Sequence, residues 1–364
     1  MRKIRDKEKY VRLQRRRARR NAKRRLRGRR KRKQIRKILQ GKDKRERKNW
    51  LRMFREYGDN RIRAPKILSL LNNTEETVRF LQRINSLWEK RKPVFVVLKE
   101  VEQIDHSATT VLLSLIHRFQ VAGIKFNGDF PQNQEANKIL HESQFFERLE
   151  SDHPSSKDYT MKRDNQIIGE AGTQTIDPKT ALEIREDVSQ TITGTPDYVF
   201  PTLHPSFIEV MQNTYEHAGE DEGTVHWWLS INHDKTNHSV TFHFIDFGRG
   251  IIDSVLNKEN NRITKTFKEY AWSLFNSSKF PDIIIRLLNN EHKESKVDYY
   301  RGKGIPSLKK ALDNNRVKCL SIITNKAVVN VAQNTTSVLQ TDFTGTYITW
   351  VLNNECEKKV WTKK

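Results

Sequence analysis

Hydrophobic positions change their period along this chain, and each change marks an element. Between 65 and 149, short apolar runs alternate with stretches of helical period. Ile67-Leu-Ser-Leu-Leu and Pro93-Val-Phe-Val-Val-Leu have the length of buried strands, and Ile124-Lys-Phe-Asn returns as a third. Thr74 to Lys90 places Val78, Leu81, Ile84 and Leu87 on one helical face behind an Asn/Thr start. Ala108 to Phe119 reads as an apolar helix, and Asn133 to Leu149 closes the segment with another. Strands alternating with helices predict a small α/β sandwich. Residues 150–176 are polar, with Gly169 and Gly172, and read as a linker. A helix then starts at Asp177-Pro-Lys and carries Ala181, Ile184 and Val188, with proline at its first position. Val240-Thr-Phe-His-Phe-Ile, Leu320-Ser-Ile-Ile-Thr and Gly345-Thr-Tyr-Ile-Thr-Trp-Val-Leu read as strands, and Phe267 to Phe275 and Asp282 to Leu288 as helices between them. The expected class is α/β: a basic arm over 1–64, an α/β domain over 65–149, the linker, a second α/β sandwich over 177–355, and a tail over 356–364.

Charge sets the arm apart. Residues 1–66 hold 32 Lys and Arg against 6 Asp and Glu, whereas the rest hold 36 against 38, so the net charge of +24 belongs to the N-terminus. With so few apolar residues to bury, that segment cannot support a core of its own. Like charges keep it disordered when free, and its Arg and Ala favour helix once a polyanion neutralises them. Arginine forks grip phosphates bidentately while nothing in the arm forms a base-reading pattern, so the expected polyanion is nucleic acid, bound without sequence preference. An anionic membrane is disfavoured because the arm lacks a stripe of bulky apolar residues. The chain has no 20-residue apolar span, and its basic N-terminus is not followed by a signal-peptide core. Cys319 and Cys356 have no metal-like spacing and are too few for a disulfide framework, which fits a reducing cytoplasm.

Candidate chemistry lies in three short stretches. Glu209-Val-Met-Gln-Asn-Thr-Tyr-Glu-His-Ala, read as a helix, puts Glu209, Asn213 and His217 on one face at spacings of four. Glu209 suits a base acting on water, and Asn213 suits a magnesium ion that keeps several waters and bridges phosphate oxygens. Asp246 ends an apolar strand, where its carboxylate can accept a hydrogen bond from the exocyclic amine of a purine. Gly248 and Gly250 then let the backbone turn tightly and approach a ligand. In Arg301-Gly-Lys-Gly-Ile, Gly302 and Gly304 precede Pro306-Ser-Leu-Lys-Lys-Ala-Leu, a helix start whose free amides and positive dipole end attract phosphate. Arg301 and Lys303 of that turn are counted with the nucleotide-binding set. The expected ligand is ATP with magnesium.

These stretches resemble the three sequence boxes of the GHKL ATPase superfamily, which includes histidine kinases, type II topoisomerase ATPase domains and bacterial anti-sigma serine kinases. The first box is similar to the anti-sigma kinase form, with Glu209, Asn213, His217 and Ala218 at the family spacing. The resemblance implies Glu209 as general base, Asn213 as magnesium ligand, Asp246 as adenine reader, and Gly248, Gly250, Gly302 and Gly304 as nucleotide-loop glycines. It covers roughly 175 to 355 and implies a lid between Ile251 and Tyr300. Pro306 and Ser307 stand where the family's third box continues with further Gly-Leu.

The stretch Val96-Val-Leu-Lys-Glu-Val-Glu-Gln-Ile-Asp-His-Ser-Ala-Thr-Thr-Val-Leu-Leu resembles the STAS domain, the anti-sigma-antagonist fold, over 65–149. That family's phosphoacceptor serine follows the aspartate directly. His106 occupies this position here and Ser107 aligns with a second serine, so the resemblance implies a docking or regulatory module, for a protein partner, that has lost its phosphorylation switch. Three kinds of ATP chemistry remain open: hydrolysis or phosphotransfer in partner-switch-like bacterial signalling, a lid-closing or homodimerisation cycle acting on nucleic acid held by the arm, and a non-catalytic ATP sensor. No helix carries the phosphoacceptor histidine pattern of a two-component histidine kinase.

Overall fold

The computed structural model describes residues 7–41, 43–143, 145, 165–171, 178–203, 205, 210, 226–257, 265–291 and 304–360. The chain divides into two compact units, Met1–Asp59 and Asn60–Lys364.

The first unit is helical. Helix α1, Lys7–Leu39, runs for 33 residues built mostly from Arg, Lys, Leu, Ala and Gln, all strong helix formers. Its cationic side chains are spread around the whole circumference, with no apolar stripe. Gly41, at φ 85°, turns the chain toward helix α2, Lys44–Tyr57. In α2 apolar residues recur at helical spacing, as at Leu51, Phe54 and Tyr57. Gly58, at φ 55°, ends α2 by donating its amide to the Phe54 carbonyl at 2.9 Å.

The second unit is mixed α/β, with helices and several sheets. It begins earlier than charge suggests: Arg61–Arg63 form strand β1 around the buried Ile62, so these two arginines belong to a sheet. Strands β1, β3 (Val94–Val97) and β5 (Phe126–Gly128) make a parallel sheet in the order β1-β3-β5. Strands β2 (Ile67–Leu68) and β4 (Gln103–Ile104) make a second, two-stranded parallel ladder. Helices α3 (Thr74–Glu89), α4 (His106–Val121) and α5 (Gln134–Glu142) connect them. Asp105 caps α4 by accepting from the Ala108 amide at 3.1 Å, and Asn133 caps α5 by accepting from the Ala136 amide at 3.0 Å. Helix α4 is buried nearly all round, which explains why its sequence lacks an amphipathic period.

The larger sheet is antiparallel. Strands β6 (Asn165–Ala171), β8 (His226–Asp234), β9 (Ser239–Asp246), β10 (Lys318–Asn330) and β11 (Thr335–Asn353) lie in the order β10-β11-β9-β8-β6. Strand β6 lies inside the segment whose polarity predicted a linker. As an edge strand it pairs with β8 alone, a setting that tolerates a glycine such as Gly169. Helices α6 (Pro178–Thr193), α7 (Ile251–Leu256), α8 (Lys265–Asn276), α9 (Phe280–Leu288) and α10 (Gly304–Asp313) follow the chain around this sheet. A short ladder of β7 (Tyr198–Val199) with β12 (Lys359–Val360) ties in the C-terminal end.

Both faces of the sheet are covered. Phe242 and Phe244 of β9, with Ile348 and Trp350 of β11, join a core containing Ile184, Ile252, Ile283 and Leu308 of the later helices. Their neighbours Ile245 and Tyr347 point the other way, as period 2 requires, into a core with Val78 and Leu81 of α3 and Leu112 and Ile116 of α4. Helices α3 and α4 thus form a layer on the sheet that carries Asp246, and they also pack against β1 and β5 of the small parallel sheet. Double coverage is why β9 reads as a continuous apolar run.

Candidate functional site

Strand β9 delivers Asp246 to the edge of the buried core, where the residue is 7% exposed, between Trp227 of β8 and Thr346 of β11. Its Oδ1 accepts from the Gly248 amide at 2.8 Å, which folds Phe247-Gly248 back over the strand's end. Two residues later Gly250 adopts φ 82° and ψ 166° as the N-cap of α7, a backbone region that essentially only glycine occupies. A Cβ at Gly250 would meet the Asn325 side chain, with Cγ at 2.8 Å.

Side chains from β10 hold the turn. Thr324 Oγ1 accepts from the Ile251 amide at 2.9 Å and donates to the Gly345 carbonyl at 3.1 Å. Asn325 Oδ1 accepts from the Ile252 amide at 3.0 Å, while its Nδ2 donates to the Arg249 carbonyl at 3.0 Å. The first amides of α7 are therefore capped by the neighbouring strand instead of by a residue before the helix. Asn325 reaches them because the β10–β11 register shifts between Thr324 and Asn325, and its φ of 49° is one that asparagine tolerates. On the other side Gly345, at φ 94°, lets β11 pass so close that a Cβ there would lie 2.8 Å from Phe247 Cα. Two carboxyls, Asp253 and Asp342, flank the turn with solvent-exposed side chains. Partial burial raises Asp253 above the usual carboxylate range, against the pull of Arg249 and Asn325, and partial burial together with Asp253 raises Asp342.

Of the residues singled out from sequence, the structure brings Asp246, Gly248 and Gly250 together in this one turn. Gly304 opens α10, whose Ile305 and Leu308 pack in the same core as Ile252 and Val255 of α7. Proline at the third position of α10 agrees with the expected helix start. Glu209, Asn213, Arg301, Gly302 and Lys303 lie outside the described residues, as does His217. Val210, beside Glu209, is helical and 1% exposed among residues of the later-helix core. Thr324, Asn325 and Gly345 were missed. Gly345 left a signal, because a glycine heading an otherwise β-branched and aromatic run marks close backbone approach. Asn325 left none, since its role depends on a bulge.

The turn at Asp105 to Ser107 lies against the sheet, with Ser107 buried. Ser107 is 1% exposed; its Oγ donates to Asp105 Oδ1 and accepts from the Leu70 amide at 2.9 Å, while Asp105 Oδ2 accepts from Ser69 Oγ. Beyond it lies a buried pair, His243 Nδ1 to Tyr347 Oη at 2.7 Å. Burial, reinforced by His106, lowers the His243 pKa to about 3, and burial raises Tyr347 well above its usual value. Among the described residues no group of three His, Cys, Asp or Glu is arranged to hold a metal, and no helix is long and apolar enough to cross a membrane.

Comparison with protein-family models, with curated proteins and with solved structures found no match for this chain.

Proposed function

We propose that this chain is a magnesium-ATP-binding regulatory protein of the GHKL class, with the α3–α4 layer serving as a STAS-like docking module in partner-switch-like signalling of bacterial type. The observation that carries the reading is the Asp246 turn: a nearly buried carboxylate at a strand's end, followed by a glycine in a glycine-only conformation, on a sheet whose next elements are helices and then the Gly304 helix. Strand β9, the helices after it and the Gly304 helix follow one another in the order of the second and third sequence boxes, which supports the reading. On the purine side the residues fit the ligand. Asp246 would supply an acceptor for an exocyclic amine, and Gly248 puts no side chain beside it.

Magnesium and catalysis rest on sequence. Asn213 is the residue that would hold the ion, which supplies charge neutralisation between phosphate oxygens when bound. Glu209 would take the proton from water or from a substrate hydroxyl. Gly304 would turn the first amides of α10 toward phosphate. Isothermal titration of ATP and GTP in magnesium tests the core of the reading. ATP should bind in preference, and Asp246→Asn should weaken ATP by about 1–3 kcal/mol with little change for GTP, through loss of one charge-assisted hydrogen bond. Equal binding of both nucleotides by the wild type would remove Asp246 from the adenine role.

A second reading, a nucleic-acid-coupled ATPase, is favoured by α1, which carries 19 Lys and Arg and one Glu over 33 residues. If about 8 of these meet phosphates, log K for duplex DNA falls against log salt with a slope near −7. Removing residues 1–59 should abolish that binding and leave ATP affinity unchanged. DNA or RNA binding by the truncated chain with the same slope would move the contact to the second unit.

A further inference from the structure

A cation is stacked against the candidate nucleotide turn from the opposite layer. Arg118, in the last turn of α4, has its guanidinium carbon 3.9 Å from the centre of the Trp88 ring and 4.3 Å from the centre of the Phe247 ring. Phe247 is the residue between Asp246 and Gly248, so the guanidinium lies over a ring of the turn as well as over a ring of α3. The group is held in place as well as stacked. Its Nη1 donates to Asn85 Oδ1 at 2.7 Å, Asn85 Nδ2 donates onward to Glu89 at 3.0 Å, and the Trp88 indole donates to the Arg118 carbonyl at 3.1 Å. Burial lowers the guanidinium's pKa to about 10 against the attraction of Glu89, as expected of a cation taken out of water.

Helix α3 also clasps the strand on the turn's far side. Glu75 accepts from the Gln340 amide at 2.9 Å and from Thr341 Oγ1 at 3.2 Å, and Thr344 Oγ1 donates to Gln82 Oε1 at 2.9 Å. The next residue is Gly345, whose close passage fixes Asp246 and Phe247. The α3–α4 layer therefore grips the turn twice, through the Phe247 ring and through residues 340–344.

We propose that Arg118 is a positioning residue for the Asp246–Gly250 turn, acting through Phe247, and that through it the α3–α4 layer sets how tightly the turn holds a nucleotide. A flat guanidinium can stack on two rings at once, whereas a lysine ammonium is a point charge that cannot. Whatever docks on that layer and shifts α3 against α4 would reach the turn by this route. The ligand part of the inference rests on the ATP reading above; the positioning part does not.

The test uses the full chain with Arg118→Met, Arg118→Lys, Phe247→Leu and Phe247→Tyr. Amide exchange is followed over 246–252 and, as an internal control, over 327–338 at the far end of the β10–β11 hairpin; binding of a fluorescent ATP analogue is measured in parallel. Arg118→Met and Arg118→Lys should each raise exchange over 246–252 by about tenfold, the scale of a desolvated cation–π contact, with the hairpin unchanged. Both should weaken the analogue several-fold, and Phe247→Tyr, which keeps the ring, should keep the wild-type exchange over 246–252. Should Arg118→Met not fold, Phe247→Leu makes the same measurement from the turn side. Wild-type exchange over 246–252 in a folded Arg118→Met chain, or an equal rise in the hairpin, overturns the proposal, as does full rescue by lysine. A wild type that binds no analogue refutes the nucleotide reading alone, and the exchange data then decide the positioning role.

Discussion

Acidification should loosen the joint between the α3–α4 layer and the large sheet, and His243 sets the size of the effect. Its ring is 4% exposed, hydrogen-bonded to Tyr347, and its pKa is lowered to about 3 by burial and by His106. In the unfolded chain the same ring titrates near 6.5. The native state therefore holds the neutral ring while the unfolded state gains a proton as pH falls, so stability is fully present above about 6.5 and is lost progressively down to about pH 3. Between pH 7.5 and 5.5 the loss from this one group is about 1.4 kcal/mol, one pKa unit of differential proton binding. The titratable groups facing it are His106 at the start of α4 and the Tyr347 hydroxyl, which burial and the nearby Asp105 keep protonated. His106 is itself lowered by burial and adds a smaller loss of the same sign. Urea unfolding at pH 7.5, 6.5 and 5.5, compared between wild type and His243→Gln, isolates the term, since glutamine can still pair with Tyr347 and cannot take up a proton. The wild type should lose about 1.4 kcal/mol more than the variant over this range. Equal losses would mean that His243 is protonated in the folded protein and that the two layers are not closed over it.

Gly250→Ala should destabilise the second unit by about 3 kcal/mol, from a glycine-only backbone region together with displacement of Asn325 from the Ile252 amide and the Arg249 carbonyl; urea unfolding reads this, and a change below 0.5 kcal/mol would count against the turn's geometry. Glu209→Ala should leave magnesium-dependent ATP binding close to wild type and lower phosphate release by roughly 100-fold, the usual contribution of a positioned base. Intact-mass analysis after incubation with ATP should find no phosphate on Ser107, because its hydroxyl is 1% exposed and donates to Asp105; stoichiometric phosphate there would restore a working switch.

Periodic residues carried most of the fold in the sequence. The run Val240 to Ile245 read as a strand, and the helices at Thr74, Pro178, Lys265 and Phe280 stand within a few residues of where their apolar faces put them. What periodicity cannot express is which surfaces meet. The stretch from 165 to 171 looks like a linker because an edge strand needs little hydrophobic content, and its partner β8 lies 55 or more residues further along. The same limit hid the contact between layers: nothing in Ile104-Asp-His-Ser says that it will be buried beside His243, and nothing in Arg118 says that it will lie on Phe247. At the candidate site the division is sharper. Asp246, Gly248 and Gly250 were legible because one short motif carries both the strand-end carboxylate and the backbone freedom. Thr324, Asn325, Gly345 and Arg118 were not, because each acts on that motif from a different strand or helix, and their task is to hold its shape. A turn without such supports would pay the ordering entropy each time a ligand bound it, so the residues the sequence concealed are the ones that hold the candidate residues it displayed in place.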